Sequence, residues 1–281
     1  MGLRWLGVCG VVVIAVWSVG ARSAWASPHS LAVSYPYATL EDAEVAVVQS
    51  VDLRSHLHMN DEKQLNPRFS LLSAYEYGIS ERVEIGLYMA LEAPHDAPIT
   101  IDGMRQRLRI RLSDANRLPI DVAFNFEVVE YRYALAIEET TILQKRFGVL
   151  TLVANSTLEE ELAGYRPLFA LSISQTVGFD VEILPHVHLG AEYWLRAVLY
   201  EEEHDPDNRA AVPEGNEDLA LALRYQNFLG PAVSLQWHRF WWTTSLSLRL
   251  DSVAGQVIER PDVNERAYER LHLRSMFGLI L

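Results

Sequence analysis

Apolar and polar residues alternate along most of the chain, in segments of about ten residues that end at typical turn residues. The segment Met104–Leu112 shows the pattern most clearly. Met, Leu or Ile stands at four of its five even positions, and arginine stands at every odd position. Successive side chains of a β-strand point to opposite faces, so this segment predicts a strand with an apolar face and a charged face.

Eleven further segments predict strands, whereas helical spacing is weak throughout. The segments are Glu44–Leu57, Arg68–Tyr77, Val83–Glu92, Ile120–Val129, Leu135–Lys145, Val149–Glu159, Pro167–Val177, Val187–Arg196, Asp218–Trp237, Trp241–Leu250 and Arg270–Leu281. An even number of strands places both chain ends on one side of a closed sheet. The pattern therefore predicts an all-β fold, a single antiparallel up-and-down β-barrel of about twelve strands formed by residues 27–281.

The charged strand faces indicate what surrounds this barrel. Arginines on one face of Met104–Leu112 cannot face a bilayer, because each would cost a few kcal/mol at mid-depth. They therefore face water, acidic partners or an enclosed interior. A secreted β-sandwich or a lipocalin-like barrel with an apolar interior is the alternative, which alternation alone does not exclude. The many charges on one face and the continuous apolar character of the other favour a transmembrane barrel.

The connections alternate in length, as in outer-membrane barrels. Short turns, assigned to the periplasm, are predicted at Gly78–Glu81, Asp114–Leu118, Arg146–Gly148 and His238–Phe240, with the longer connection Gly178–His186 on the same side. Longer polar connections, assigned to the cell exterior, are predicted at Met59–Asn66, Ala93–Gly103, Ala197–Glu217 and Asp251–Arg266. The connections Val129–Ala134 and Glu160–Arg166 are shorter than this alternation requires.

The first residues have the features of a secretory signal peptide. Arg4 supplies a positive charge, Trp5–Gly20 is apolar, and Ala24-Trp25-Ala26 fits the small-x-small rule for cleavage. We expect residues 1–26 to be removed before Ser27 and the rest to reach the outer membrane of a Gram-negative-type cell. An uncleaved anchor is disfavoured because the apolar stretch is short and ends at a good cleavage site. Cys9 lies too early in the leader to be a lipoprotein acylation site.

Composition excludes several classes of protein. The chain has 281 residues, of which 49% are hydrophobic and 22% charged, unlike a disordered chain or a helical membrane protein. The net charge of −13 becomes −15 once Arg4 and Arg22 leave with the leader, which argues against nucleic acid as a partner. Cys9 is the only cysteine, so the remaining chain has neither disulfide nor thiol chemistry.

Eight charged residues are predicted to line the barrel interior, or lumen, and to contact solute. They are Arg105, Arg107, Arg109, Arg111, Glu76, Glu84, Arg270 and Arg274. One hypothesis is a selective channel, in which stacked guanidinium groups attract a carboxylate- or phosphate-bearing solute. The other is that the arginines pair with acidic residues and fill the barrel, as small barrels commonly do.

The chain has few candidates for metal binding or catalysis. The acidic run Glu201–Asp207 has the oxygen ligands that calcium prefers, but its spacing matches no calcium loop. His186 and His188 lack a third nearby ligand. Twelve-stranded outer-membrane phospholipases carry His and Ser two residues apart, whereas no His-x-Ser, Gly-x-Ser-x-Gly or His-Glu-x-x-His occurs here. We expect no metal, no cofactor and no enzymatic activity.

Two hairpins resemble those of a known class of proteins. Residues Tyr75–Tyr88 (YEYGISERVEIGLY) resemble a periplasmic turn common in uncharacterised outer-membrane barrels. Residues Phe228–Pro231 (FLGP), followed by Trp241-Trp242, resemble a later hairpin of the same proteins. Some of these are described as transporters of the phenol-degradation MetA pathway. The resemblance implies an outer-membrane location and passive transport, and it carries over no functional residue.

Three functions remain open at this point. The first is a passive channel or transporter with an arginine-lined lumen, for a small anionic or aromatic solute. The second is a closed barrel with a structural or surface-interaction role, and the third is a lipid-modifying barrel enzyme. The expected partners are outer-membrane lipid and the barrel-assembly machinery, which would recognise the C-terminal strand Arg270–Leu281.

Overall fold

The structure is a computed structural model that describes residues 30–56, 68–93, 98–131, 134–164, 170–201, 225–250 and 269–281. Twelve β-strands form most of this part of the chain. They are β1 (Val45–His56), β2 (Arg68–Ser80), β3 (Val83–Ala93), β4 (Thr100–Arg111), β5 (Asp121–Tyr131), β6 (Ala134–Phe147), β7 (Leu150–Gly164), β8 (Ala170–Leu184), β9 (Val187–Glu201), β10 (Tyr225–Trp237), β11 (Phe240–Arg249) and β12 (Glu269–Ile280). Within the described residues, no helix is long and apolar enough to cross a bilayer.

The strands form a closed antiparallel barrel in which each strand pairs with its neighbours in sequence. β1 also pairs with β12, from Ala46 opposite Ile280 to His56 opposite Glu269, and this pairing closes the sheet. The start of β1, the end of β12 and the tight turns therefore share one end of the barrel, called here the turn end. The opposite end is called the loop end. The predicted up-and-down barrel of about twelve strands is confirmed.

The two faces of the barrel differ in chemistry, as the alternation predicts. Every strand exposes large apolar side chains on the outer face, among them Leu87, Phe126 and Leu246. The buried residues inside include many Ser, Thr, Asp, Glu and Arg residues. The alternative with an apolar interior is wrong, because Met104 is 52% exposed on the outer face whereas Arg107 is 4% exposed inside.

Two tight turns lie beyond their predicted positions. β2 runs through Gly78 and turns at Glu81–Arg82. β8 runs through Gly178 to a turn at Pro185–His186, so the longer connection predicted at Gly178–His186 is wrong. The second turn residue there has a positive φ of 72°, as two-residue hairpin turns often require.

Gly78 and Gly178 make room for another part of the chain instead of turning it. Both lie on the inner face, where residues before β1 approach the sheet. A Cβ atom on Gly178 would lie 2.5 Å from Leu31 Cδ1, and one on Gly78 would overlap the backbone oxygen of Glu41. Only glycine leaves room for the Glu41 backbone at position 78 and for the Leu31 side chain at position 178.

Residues 30–42, called here the N-terminal segment, lie inside the barrel and form no strand. Glu192 of β9 binds the segment near its start, and Glu84 of β3 binds it at Leu40. These two strands are six positions apart in a ring of twelve, so the segment crosses the interior. Sequence analysis assigned no structure to it. The predicted leader, residues 1–26, lies outside the described residues.

Cysteine pairs test the closure between the first and last strands. From residue 27 onward the chain contains no cysteine. Ser50 lies opposite Met276 on the inner face, and facing side chains of antiparallel strands have Cβ atoms about 5 Å apart. We expect S50C/M276C to be joined by a short bifunctional thiol reagent, which changes the electrophoretic mobility. The control S50C/S275C places one cysteine on the outer face, and equal crosslinking of the two pairs would contradict the register.

Candidate functional site

The inner face of β4 carries four arginines, and carboxylates from neighbouring strands surround them. The strand register explains the arrangement, because Glu84 of β3 lies opposite Arg109 and Glu127 of β5 lies opposite Arg107. Period-two alternation turns all of these side chains inward together. We call this group the charged wall, and its members are Arg105, Arg107, Arg109, Arg111, Glu76, Glu84, Glu127 and Glu138.

Arg107 lies at the centre of the charged wall. Its Nη2 atom donates to Glu76 Oε1 and to Glu84 Oε1, both at 2.6 Å. The Tyr88 ring lies 4.9 Å from Arg107 Cζ, and its hydroxyl donates to Glu76 Oε1 at 2.6 Å. Gly86 makes room for that ring, because a Cβ atom there would lie 2.7 Å from Tyr88 Cε2. Removal of this cation would leave two enclosed carboxylates without their common partner.

Arg105, toward the loop end, is paired but less enclosed. Its Nη1 atom donates to both carboxylate oxygens of Glu138, at 3.2 and 3.3 Å, and lies 3.6 Å from Glu127 Oε2. The Arg105 side chain is 28% exposed, compared with 2% for Arg107. Since the side chain points into a closed sheet, this exposure is to the interior, where a solute could contact it.

Arg109 and Arg111, toward the turn end, contact the N-terminal segment. Arg109 Nε donates to Asn125 Oδ1 at 2.9 Å, and Arg109 Nη1 donates to the backbone oxygen of Ala38 at 3.1 Å. The Tyr37 ring lies 5.9 Å from Arg111 Cζ. Arg109 is only 1% exposed, so the segment and the sheet together separate it from a solute.

A second charged group joins the last strand to the first. Arg274 of β12 donates from Nε to Asp52 Oδ1 at 2.6 Å and from Nη2 to Asp52 Oδ2 at 3.2 Å. His272 Nε2 lies 2.8 Å from the same Oδ1 atom. The Arg274 side chain is 26% exposed to the interior. The side chain of Arg270, which was predicted to line the lumen, is not among those that the structure describes.

Glu159 of β7 is an interior residue that sequence analysis did not single out. Its Oε2 atom accepts from Arg196 Nη2 at 3.0 Å and from the Ser172 hydroxyl at 3.1 Å, and its Oε1 atom accepts from the Tyr131 hydroxyl at 3.3 Å. Arg196 and Glu159 are 28% and 20% exposed. Three consecutive glutamates at 159–161 interrupt the alternation, so the pattern does not show which of them faces inward.

Glu192 binds the start of the N-terminal segment through the main chain. Its Oε1 atom accepts from the N–H groups of Val33 and Ser34, both at 2.8 Å, and its Oε2 atom accepts from the N–H of Ala32 at 3.0 Å. Glu192 is 1% exposed. Three converging N–H groups replace the water that this carboxylate loses on burial.

Two tyrosines of the segment approach the arginines of β4. The Tyr35 ring lies 5.9 Å from Arg107 Cζ and 5.7 Å from Arg109 Cζ. The nearby Glu127 carboxylate, together with burial, raises the pKa of Tyr35 above its ordinary value, so the phenol is neutral. The Tyr37 hydroxyl donates to the backbone oxygen of Ser113. The apolar and aromatic residues at 31–40 are the sequence signal that could have revealed this segment.

Charged side chains of the interior form ion pairs with one another. Among the residues that the structure covers, no group of three or more His, Cys, Asp or Glu side chains is arranged to hold a metal ion. His188, considered as half of a metal pair, lies 2.8 Å from Asp180 Oδ1. Most of the acidic run Glu201–Asp207 lies outside the described residues. The interior therefore offers a solute partly exposed guanidinium groups with carboxylates beside them.

Comparison with known proteins identifies the fold. No family model matches the chain, and no curated protein matches it. An outer membrane channel from Pseudomonas putida F1 aligns with a TM-score of 0.56 at 8% sequence identity, over 87% of this chain and 98% of the channel. The NanC porin aligns with a TM-score of 0.54 at 6% identity, over 84% of this chain and 100% of the porin. At such low identity the likeness is one of fold.

Removal of Arg107 is expected to destabilise the barrel strongly. Arg107→Met keeps much of the side-chain volume but removes the guanidinium group that lies 2.6 Å from both Glu76 and Glu84, and breaking a buried ion pair costs about 3–5 kcal/mol. The measurement is the free energy of unfolding in urea after refolding into lipid vesicles. Arg82→Met is the control, because Arg82 and Asp114 are each 47% exposed and such pairs contribute about 0–1 kcal/mol. Equal losses would show that the charged wall does not stabilise the barrel.

Proposed function

We propose that this chain is an outer-membrane channel that passes small polar solutes passively along a charged interior. The observation that carries the proposal is the contrast between the two faces of one closed sheet, which is apolar outside and charged inside. An apolar outer face favours hydrocarbon, and a charged inner face favours water and polar solutes. Together these preferences are those of a transmembrane pore.

The outer face supports a location in a lipid bilayer. Large apolar side chains are exposed on all twelve strands, and soluble monomers rarely tolerate an apolar surface of that extent. A closed barrel has no unpaired strand edge, which is the second requirement for β-structure in hydrocarbon. Trp237 is 65% exposed beside the turn end, at the depth where membrane barrels concentrate aromatic rings. The predicted leader, residues 1–26, agrees with export to the outer membrane.

The partly exposed arginines support contact with an anionic solute. Arg105, Arg196 and Arg274 are 26–28% exposed to the interior, while each is also bound to a carboxylate. A guanidinium group has five N–H donors in a planar fork, so it can bind a carboxylate or phosphate with the donors that remain open. Brief binding at several such sites, followed by release, is how a charged lumen conducts. Arg107 and Arg109 instead keep the wall in place.

The fold neighbours agree with this proposal. One is named as an outer membrane channel and the other as a porin. Their fold supports a channel-type barrel for this chain, while the solute class rests on the arginines alone. Removal of the leader and recognition of the last strand by the assembly machinery stay predictions.

A closed barrel without transport is the second candidate. The observation in its favour is the N-terminal segment, which crosses the interior and holds Arg109 beneath it. Recordings in planar lipid bilayers separate the two candidates. A channel gives discrete current steps, whereas a closed barrel gives none from protein whose folding is confirmed by heat-modifiable electrophoretic mobility.

Reversal of the charge at Arg105 is expected to change ion selectivity. In a KCl gradient, Arg105→Glu should move the reversal potential toward cation selectivity, because a partly exposed positive charge of the interior becomes negative. Arg105→Gln should give a smaller change in the same direction. Arg82→Glu, at an exposed turn outside the interior, is the control. A reversal potential that is the same for Arg105→Glu and the unchanged protein would remove Arg105 from the conduction path.

A further inference from the structure

The N-terminal segment is recognised mainly through its main chain. Glu192, Gln144 and Glu84 accept hydrogen bonds from its N–H groups at distances between 2.8 and 3.1 Å. Arg109 and Arg274 approach two of its carbonyl oxygens, at 3.1 and 3.5 Å. These five residues lie on five different strands, so the contacts extend around the interior. Hydrogen bonds to the main chain supply affinity in one of the recurring modes by which proteins bind extended peptides.

Three apolar or aromatic side chains fix the position of the segment. Leu31 is 2% exposed and packs with Val153 and Ala232 of the inner face. Leu40 is also 2% exposed and packs in a cluster with residues at the turn end of β1 and β2. Tyr37 is 1% exposed. Main-chain contacts with side-chain anchors between them are the two parts of a peptide site, affinity coming from the first and register from the second.

The segment is not part of the sheet that encloses it. The pairing of β1 with β12 and with β2 is complete without it. From residue 30 onward, the first hydrogen bond between the backbones of this part of the chain and the sheet is the one from the Ala43 N–H to the Gly78 oxygen. Departure of the segment would break no strand pair, and water could replace the hydrogen bonds that the side chains of the inner face lose. The covalent link to β1 keeps the segment at a high effective concentration, so it can return readily.

We infer that the inner face of the barrel holds a binding site for an extended peptide, and that residues 30–42 occupy this site as an intramolecular ligand. We further infer that the channel is closed while they occupy it. The third part rests on the proposed channel function, whereas the peptide site does not. The site is defined by Glu192, Gln144, Glu84, Arg109 and Arg274, with the glycines at 78 and 178 providing clearance.

A covalent crosslink tests whether the segment must leave for current to pass. Ser30 Oγ donates to Asp180 Oδ2 at 2.7 Å, so cysteines at these two positions lie within reach of a short bifunctional thiol reagent. The current of S30C/D180C should be lost once the reagent joins the two cysteines, while the single variants S30C and D180C, treated in the same way, keep their current. Equal currents from crosslinked and untreated S30C/D180C, with the crosslink confirmed by mass spectrometry, would overturn closure by the segment.

A variant with a weakened segment tests the peptide site while the residues that form the site stay unchanged. L31D/L40D replaces two buried leucines with carboxylates near Glu192 and Glu84, so the segment should leave and the current should exceed that of the unchanged protein. A synthetic peptide with the sequence of residues 30–42 (SLAVSYPYATLED) should then block this current, and a scrambled peptide should not. Each single variant, L31D or L40D, serves where the double variant does not refold.

Binding is also measured without current. By fluorescence anisotropy in detergent, the dye-labelled peptide should bind saturably to L31D/L40D and should not bind the crosslinked S30C/D180C protein. An excess of the scrambled peptide should not displace it from L31D/L40D. Saturable binding with no current from any variant would leave the peptide site standing and refute the proposed channel. Current without binding or block by the peptide would refute the peptide site and leave the channel standing.

Discussion

A charge enclosed by the barrel needs an opposite charge beside it, and this constraint organises the whole interior. Alternation on β4 directs four arginines to one face, and the apolar outer surface leaves the interior as the only place for them. Arg107 is stable there because β2 and β3 each bring a carboxylate within 2.6 Å. The strand register must therefore be correct for the charges to be paired, so the ion pairs help to select that register.

The same constraint divides the interior into two regions. Toward the turn end, Arg107 and Arg109 are almost fully enclosed, and the N-terminal segment covers them. Toward the loop end, Arg105 and Arg196 keep about a quarter of their surface open. On β4, fully enclosed arginines and an arginine that is partly open to the interior thus lie on the same strand, at different depths along the barrel.

Periodicity in the sequence was sufficient for the fold, because the side-chain period of two leaves a clear trace on strands with chemically different faces. It located the four arginines of β4 on the inner side, together with Glu76 and Glu84, but not which of these residues pair, since pairing depends on a register that no single segment contains. The N-terminal segment was missed for a related reason. It has no period, and the glycines at 78 and 178 that accommodate it were interpreted as parts of turns, although they provide clearance for its backbone and for Leu31.

The contact between Asp52 and Arg274 has a consequence for how the molecule is made. The two residues are 222 positions apart in the chain, so their ion pair forms only after nearly all of the polypeptide is available. Joining such distant points carries a large loop-closure entropy, which places this seam late in folding. A prematurely terminated chain lacks β12 and retains two open strand edges, which expose it to aggregation before it can become a barrel.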